Sequence, residues 1–82
     1  MRQYIDQEKR VLEKIVCNRC GRELQLEKGL VQEGVFTGDV QWGYFSRHDG
    51  ERHRFDLCEE CYEHLISSFR IPVEKEDETE LL

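Results

Sequence analysis

Residues 55–65, FDLCEECYEHL, place two cysteines three positions apart in a segment with the periodicity of a helix. A second pair with the same spacing lies far upstream, in CNRCG at residues 17–21. Two CxxC pairs can bring four thiolates to one metal ion, which is the ligand set of a structural zinc site. We therefore predict that the cysteines bind one Zn²⁺ and that this site decides the fold. The predicted ligands are Cys17, Cys20, Cys58 and Cys61.

The size and composition of the chain favour such a site. It has 82 residues, of which 37% are charged and 38% hydrophobic. A core of this size rarely contributes more than about 3–5 kcal/mol, and natural domains of this length usually add disulfides or a metal. No signal segment and no long apolar run are visible, so we expect a cytoplasmic protein whose cysteines stay reduced. That compartment favours a metal over a disulfide or redox role, which is the alternative.

The two cysteine pairs differ in their predicted local structure. Gly21 directly follows Cys20, which is typical of a knuckle whose backbone turns tightly beneath the sulfur. The second pair lies in the first turn of a predicted helix, which Asp56 can cap, with Glu59 at capping-box spacing. Pro72 ends this helix. The N–H groups and the positive dipole end at a helix start favour thiolate over thiol.

The N-terminal segment predicts an amphipathic helix over residues 1–16. With successive residues set 100° apart, its apolar side chains fall within an arc of roughly 140°. These side chains are Tyr4, Ile5, Val11, Leu12, Ile15 and Val16. A strand over residues 11–16 is the competing interpretation. The helix would carry more apolar surface than a small domain covers easily, so we expect it to pack on the C-terminal helix or to form a homodimer.

Turn signals divide the segment between the cysteine pairs into hairpins. Gly29 and Gly34 interrupt an alternating stretch and predict turns or a bulge between short strands. The Asp49-Gly50 pair predicts a tight turn that joins residues 42–48 to residues 51–57. That register pairs Ser46 with His53, Tyr44 with Phe55 and Trp42 with Leu57 on a buried face.

The opposite face of this hairpin is a candidate binding face. It carries Phe45, Arg47, Arg52 and Arg54. An aromatic ring among arginines can stack on a base and contact phosphates, and the same surface can also bind a protein. The alternative is a solvated surface whose arginines pair with nearby carboxylates.

The net charge of −6 is concentrated in the C-terminal tail, residues 73–82, which has one lysine against five acidic residues. The rest of the chain is close to neutral and has no basic face for duplex DNA. We divide the chain into the N-terminal helix over residues 1–16, a zinc-binding domain over residues 17–72, and this acidic tail.

A knuckle, a hairpin and a helix bearing the last two ligands resemble the treble-clef family of zinc fingers over residues 15–70. The stretch WGYFSRHDGERHRFDLCEEC also resembles a segment of small uncharacterised bacterial and phage-associated proteins. The family resemblance implies a small α+β fold with the four cysteines around one structural zinc, and it fixes no function. Iron in a rubredoxin-like site is the alternative metal, but Tyr62 stands where the second knuckle of such a site has glycine.

The function we expect is that of a non-enzymatic binding or adaptor module for a protein partner. A nucleic-acid-binding regulator that uses the arginine-rich hairpin is the alternative, and no membrane partner is expected. His48, His53 and His64 form no recognisable set of nucleophile and base in the sequence. Four cysteine ligands also fill a tetrahedral site, whereas catalytic zinc keeps one position open.

Overall fold

The computed structural model describes residues 1–6 and 11–77, which form three two-stranded antiparallel sheets and one helix. In chain order the elements are β1 (Arg2–Asp6), β2 (Val11–Ile15), β3 (Leu26–Glu27), β4 (Leu30–Val31), β5 (Val35–Gln41), β6 (Arg52–Cys58) and α1 (Glu59–Ser67). β1 pairs with β2, β3 with β4, and β5 with β6. The predicted small α+β class is therefore confirmed, but the strands form separate hairpins rather than one continuous sheet.

The predicted N-terminal helix is wrong, because β1 and β2 form an antiparallel hairpin in its place. Arg2 pairs with Ile15, and Val16 donates its N–H to the carbonyl of Met1 at 2.7 Å. Short apolar runs fit helix and strand periodicity equally well, and here tertiary pairing decides. The carbonyl of Ile15 also accepts the N–H of Leu24 at 2.9 Å, which requires extended backbone up to the knuckle. Formation of a homodimer stays a prediction, and residues 7–10 lie outside the described residues.

The turn predicted at Gly29 is confirmed. Lys28 and Gly29 both have positive φ angles, of 54° and 78°, and they join Glu27 to Leu30 as a two-residue hairpin turn. Two consecutive positive φ angles define the type I′ turn, whose twist matches that of the strands. Gly34 lies in the connection between β4 and β5, beside the carboxylate of Glu59 at the start of α1.

The predicted pairing of the main hairpin is wrong, because β6 pairs with β5 and not with residues 42–48. The register places Phe36 opposite Leu57 and Val35 opposite Cys58. This seven-residue ladder outweighs the short-range Asp49-Gly50 signal, and it lets the ring of Phe36 pack against Tyr62 of α1 at a centroid distance of 5.2 Å. Residues 42–51 instead form a loop, which we call the aromatic loop.

The aromatic loop keeps a turn at the predicted glycine but exposes one aromatic side chain that is predicted to lie in the core. Gly50 has a φ of 88°, and the N–H of Glu51 reaches the carbonyl of His48 at 2.9 Å. Tyr44, predicted to be buried, is 83% exposed, and Phe45 is 99% exposed. The loop therefore projects from the end of the β5–β6 hairpin rather than extending its core.

The helix begins later than the sequence predicts. Its N-cap is Cys58, and no side chain among the described residues caps it. Asp56 belongs to β6, so the predicted capping box is absent. α1 ends at Ser67, five residues before Pro72, and the N–H of Ser68 closes its last turn. No helix in the described part of the chain is long and apolar enough to cross a membrane.

The core is small, and half of its buried apolar side chains in the described part of the chain are cysteines. Its buried apolar side chains within the described ranges are Ile15, Cys17, Leu24, Leu57, Cys58 and Cys61. Four partly buried side chains pack against them, namely Leu12, Leu26, Val35 and Phe55. Among the residues whose burial is described, three aliphatic side chains are buried, and all three cluster with the cysteines.

Gly38 is expected to be indispensable for the packing of β5 on β6. A Cβ at this position would lie 2.5 Å from the ring of Phe55, the residue opposite it. Gly38→Ala should therefore displace this ring from the core and destabilise the protein by about 1–2 kcal/mol. Urea unfolding in the presence of zinc measures the effect, with Gly43→Ala as control because a Cβ there meets nothing within 4 Å. Equal losses in the two variants would contradict the proposed close packing.

Candidate metal centre

Four cysteine side chains converge where the knuckle meets the start of α1. The sulfur atoms of Cys17, Cys20, Cys58 and Cys61 all lie within 4.8 Å of one another. The sulfurs of Cys20 and Cys58 are 3.9 Å apart. A tetrahedral site with Zn–S bonds of about 2.3 Å separates its sulfurs by about 3.8 Å. All four cysteines are free of disulfide bonds. The cluster can therefore hold one metal ion.

The first pair is presented by a tight knuckle, as the sequence predicts. Its backbone closes through two hydrogen bonds, from Cys17 N–H to the carbonyl of Arg22 at 2.8 Å and from Gly21 N–H to the carbonyl of Cys17 at 2.9 Å. Gly21 has a φ of 80°, a conformation that favours glycine. The knuckle therefore turns both sulfurs towards the same side.

Asn18 attaches the knuckle to the strand that leads to the second pair. Its N–H donates to the carbonyl of Asp56 at 2.8 Å, and its side-chain oxygen accepts the N–H of Asp56 at 2.9 Å. This reciprocal pair of bonds fixes the knuckle beside the end of β6. These hydrogen bonds therefore help to hold the two cysteine pairs face to face.

The environment of the cysteines favours thiolate at some positions and opposes it at another. Burial opposes ionisation of Cys17, but backbone N–H groups of Cys20, Cys58 and Arg19 donate to its sulfur and lower its pKa to about 6. The N–H of Cys61 at the helix start likewise lowers the pKa of Cys58.

Cys61 shows why the cluster needs a cation. Arg19 donates to its sulfur at 3.5 Å and favours the thiolate, but burial and the three neighbouring sulfurs outweigh this and raise its pKa to about 11. Four adjacent thiolates repel one another unless a positive ion lies between them. A divalent metal supplies that charge, so the donor set fits a metal centre.

Two arginines near the cysteines, Arg19 and Arg22, provide positive charge beside the centre. Four thiolates and one divalent ion carry a net charge of −2, which nearby cations stabilise. Arg19 contacts Cys61 directly. The bond to Glu33 is the main cause of the raised pKa of Arg22, and Cys58 contributes in the same direction. Glu33 holds Arg22 in place through a two-point ion pair, and its carboxylate also accepts the N–H of Gln25 at 2.7 Å. Sequence reasoning missed Glu33, which no spacing rule connects to the cysteines.

Asp56 is the second residue whose role sequence reasoning missed. It is only 4% exposed, and its carboxylate accepts hydrogen bonds from Thr37 at 2.8 Å and Arg2 at 3.2 Å, and from the amino group of Met1 at 3.0 Å. Burial alone would raise its pKa, but these donors lower it. Asp56 thus joins β1, β5 and β6 beside the knuckle. The sequence did offer one signal for this role, because Asp56 is the only charged residue in the apolar stretch 55–58.

The predicted binding face is not assembled as a single strand face. Arg52 and Arg54 lie two positions apart on β6, whereas Phe45 and Arg47 lie in the aromatic loop. Arg52 is already engaged, since it donates two hydrogen bonds to Asp39 on β5 at 2.8 and 2.7 Å. Binding by these four residues stays a prediction.

The three histidines lie apart from the four-cysteine centre. His64 is exposed on α1 and belongs to none of the clusters of metal-ligating side chains in the described residues. His48 and His53 instead lie with Glu51 at the base of the aromatic loop.

The chain matches no protein-family model, and no curated protein or solved structure resembles it at a significant level. The assignment of the metal centre therefore depends on the positions and chemistry of the cysteines themselves.

Proposed function

We propose that the chain is a zinc-stabilised, treble-clef-like module that binds a protein partner and has no catalytic activity. The order of its parts supports this proposal: a knuckle, a hairpin and then a helix that starts at the last two cysteines. Tetrahedral sulfur sets suit zinc or iron, and the helix-borne second pair differs from the symmetric knuckles of an iron site. Four sulfur ligands leave no position on the metal for a substrate.

The observation that carries the binding role is the exposure of two adjacent aromatic side chains on the aromatic loop. Tyr44 and Phe45 are 83% and 99% exposed, and their rings meet edge to face at a centroid distance of 5.2 Å. Their loop is held by local hydrogen bonds, including Ser46 N–H to the carbonyl of Gly43 and His48 N–H to the hydroxyl of Ser46, both at 2.9 Å. Rigidly presented aromatic side chains are typical anchors of protein interfaces.

The charges around these rings indicate the chemistry of the partner. Arg47 is exposed and makes no hydrogen bond or ion pair within residues 1–6 and 11–77, so it can meet an incoming carboxylate. We infer a partner with an apolar pocket for Phe45 and acidic side chains at its rim. Nucleic acid is less well supported, because Arg52 is occupied by Asp39 and the loop itself carries Asp49 and Glu51.

The double variant Tyr44→Ser/Phe45→Ser is expected to lose partner binding without losing stability. Both rings are exposed, so their removal should change the free energy of unfolding by less than about 0.5 kcal/mol. Affinity should fall at least about 10-fold, since interface aromatics typically contribute more than 1 kcal/mol each. The partner is identified by affinity purification with the wild-type chain, and calorimetry with the purified partner then measures the affinity. Ile71→Ser, at a 79% exposed position beyond α1, is the matched control.

Two results would overturn this proposal. The first is a purified partner that binds the double variant as tightly as the wild type. The second is binding of a single-stranded oligonucleotide that weakens steeply with salt and is abolished by Arg52→Glu/Arg54→Glu, with no protein retained by the wild-type chain.

A further inference from the structure

A second group of metal-ligating side chains lies where the aromatic loop joins β6. His48, Glu51 and His53 each offer one ligand atom, and these three atoms lie within 4.8 Å of one another. Their side chains are open to solvent, with 50%, 58% and 43% of their surface exposed. We propose that this cluster is a second metal site, which binds one exchangeable divalent transition-metal ion independently of the four-cysteine centre.

The backbone of the loop brings these three side chains together. A turn over residues 48–51 brings Glu51 close to His48, since the N–H of Glu51 donates to the carbonyl of His48 at 2.9 Å. The carbonyl of Glu51 in turn accepts the N–H of Trp42 at 2.9 Å, which continues the pairing of the two strands beyond their ends. His53 follows on β6 itself. Two ligands thus lie on a closed turn and the third on a strand.

The distances are close to those that a bound ion requires. One carboxylate oxygen of Glu51 lies 2.9 Å from Nε2 of His53 and 3.8 Å from Nδ1 of His48. The two imidazole rings are 5.2 Å apart between centroids. Ligand atoms at about 2.0–2.2 Å from a shared ion lie about 3–3.5 Å from one another. Small side-chain rotations therefore complete the site.

The donor set determines which ions fit. Two imidazole nitrogens and one carboxylate oxygen suit Zn²⁺, Ni²⁺ and Cu²⁺, whereas Mg²⁺ and Ca²⁺ prefer oxygen ligands alone. Three protein ligands leave coordination positions for water, so binding is weaker and more exchangeable than at four thiolates. The site therefore fills after the four-cysteine centre.

Trp42 reports on occupancy of this site. Its indole N–H donates to Nδ1 of His53 at 2.9 Å, so the neutral imidazole carries its proton on Nε2, where it faces Glu51. A metal on Nε2 displaces that proton to Nδ1, which then no longer accepts a hydrogen bond from Trp42. Because Trp42 is the only tryptophan of the chain, its fluorescence should change when the ion binds.

The test is a titration of the folded protein whose initial metal content has been measured by native mass spectrometry. Zn²⁺ and, separately, Ni²⁺ are added and followed by calorimetry and by Trp42 fluorescence, with Mg²⁺ as the negative control. We expect one additional ion per chain and a fluorescence change that saturates with it. His48→Ala should weaken this event by at least about 10–100-fold, and Glu51→Gln should weaken it in the same direction. His64→Ala, which removes a histidine outside the cluster, should leave it unchanged.

The proposal is overturned if no additional ion binds, or if binding leaves Trp42 fluorescence unchanged. It is also overturned if His48→Ala binds as tightly as the wild type, or if His64→Ala weakens binding equally. None of these results bears on the partner-binding role of Tyr44 and Phe45, which is measured separately.

Discussion

A strong chelator is expected to unfold the protein at neutral pH and to remove its tightly bound zinc in the same transition. Structural zinc contributes roughly 10–16 kcal/mol of apparent binding free energy in zinc-finger peptides at pH 7. The core offers no substitute, since the buried aliphatic side chains in its described part are Ile15, Leu24 and Leu57. Without the ion, the sulfurs would be a cluster of mutually repelling thiolates or poorly packed thiols. Circular dichroism and native mass spectrometry, recorded with and without chelator, measure both losses.

Single substitutions distinguish metal binding by the four cysteines from metal binding elsewhere in the chain. Cys58→Ser should abolish most of the folded structure, because the ion then has three thiolates and a poor fourth ligand. Cys17→Ser should be nearly as damaging, although it lies 41 positions upstream in the sequence. His64→Ala is the control and should retain both zinc and fold. A chain that contains no metal and keeps its spectrum in chelator would refute the assignment of both CxxC pairs.

Asp56→Asn is expected to cost about 2–3 kcal/mol, since it removes the charge that accepts hydrogen bonds from Thr37, Arg2 and the Met1 amino group. The loss should stay below that of a fully buried ion pair, because both cations are partly solvated and regain water. Urea unfolding of the zinc-loaded protein at pH 7 measures it. Asp39→Asn is the matched control, since its pair with Arg52 is more exposed and should contribute much less to stability.

The sign of the pH effect follows from the lowered pKa of Asp56. A carboxylate whose pKa is lower in the folded chain stabilises it fully above the unfolded value of about 3.9. This contribution is lost as the pH falls through the folded pKa. At pH 7 it is complete, so the measured difference is the whole effect. Equal stabilities of Asp56→Asn and Asp39→Asn would show that the buried carboxylate has no special structural role.

The convergence of the four cysteines was predictable because it depends on residue type and short spacing. A CxxC pair constrains both sulfurs locally, and the polar composition of the chain required some source of stability beyond a core. The Lys28-Gly29 turn was predictable for the same reason, since positive φ angles are a local property that glycine signals. The structure brings the four cysteines together as expected.

The errors arose where distant contacts decided the local structure. Residues 11–16 satisfy a helical stripe and a strand equally well, and only pairing with β1 and Glu23 selects the strand. The Asp49-Gly50 signal correctly predicted a turn, but nothing near it showed that β5 would pair with β6. Asp56 fits a helix cap by sequence, whereas its partner Thr37 lies opposite it on β5 and its partner Arg2 comes from the β1–β2 hairpin. These choices depend on contacts that no spacing rule describes.

Because β5 and β6 form a hairpin of their own, the entropy cost of closing the metal centre is lower than the sequence separation of the cysteines suggests. Cys20 and Cys58 are separated by 37 residues, and closing a flexible loop of that length costs about 3 kcal/mol in the logarithmic term alone. Once β5 pairs with β6, Val35 lies opposite Cys58, and the segment left to close runs only from Cys20 to Val35. The logarithmic term then falls by about 1 kcal/mol. The aromatic loop lies outside this shortened segment. Its length can therefore vary without raising the entropy cost of closing the metal centre.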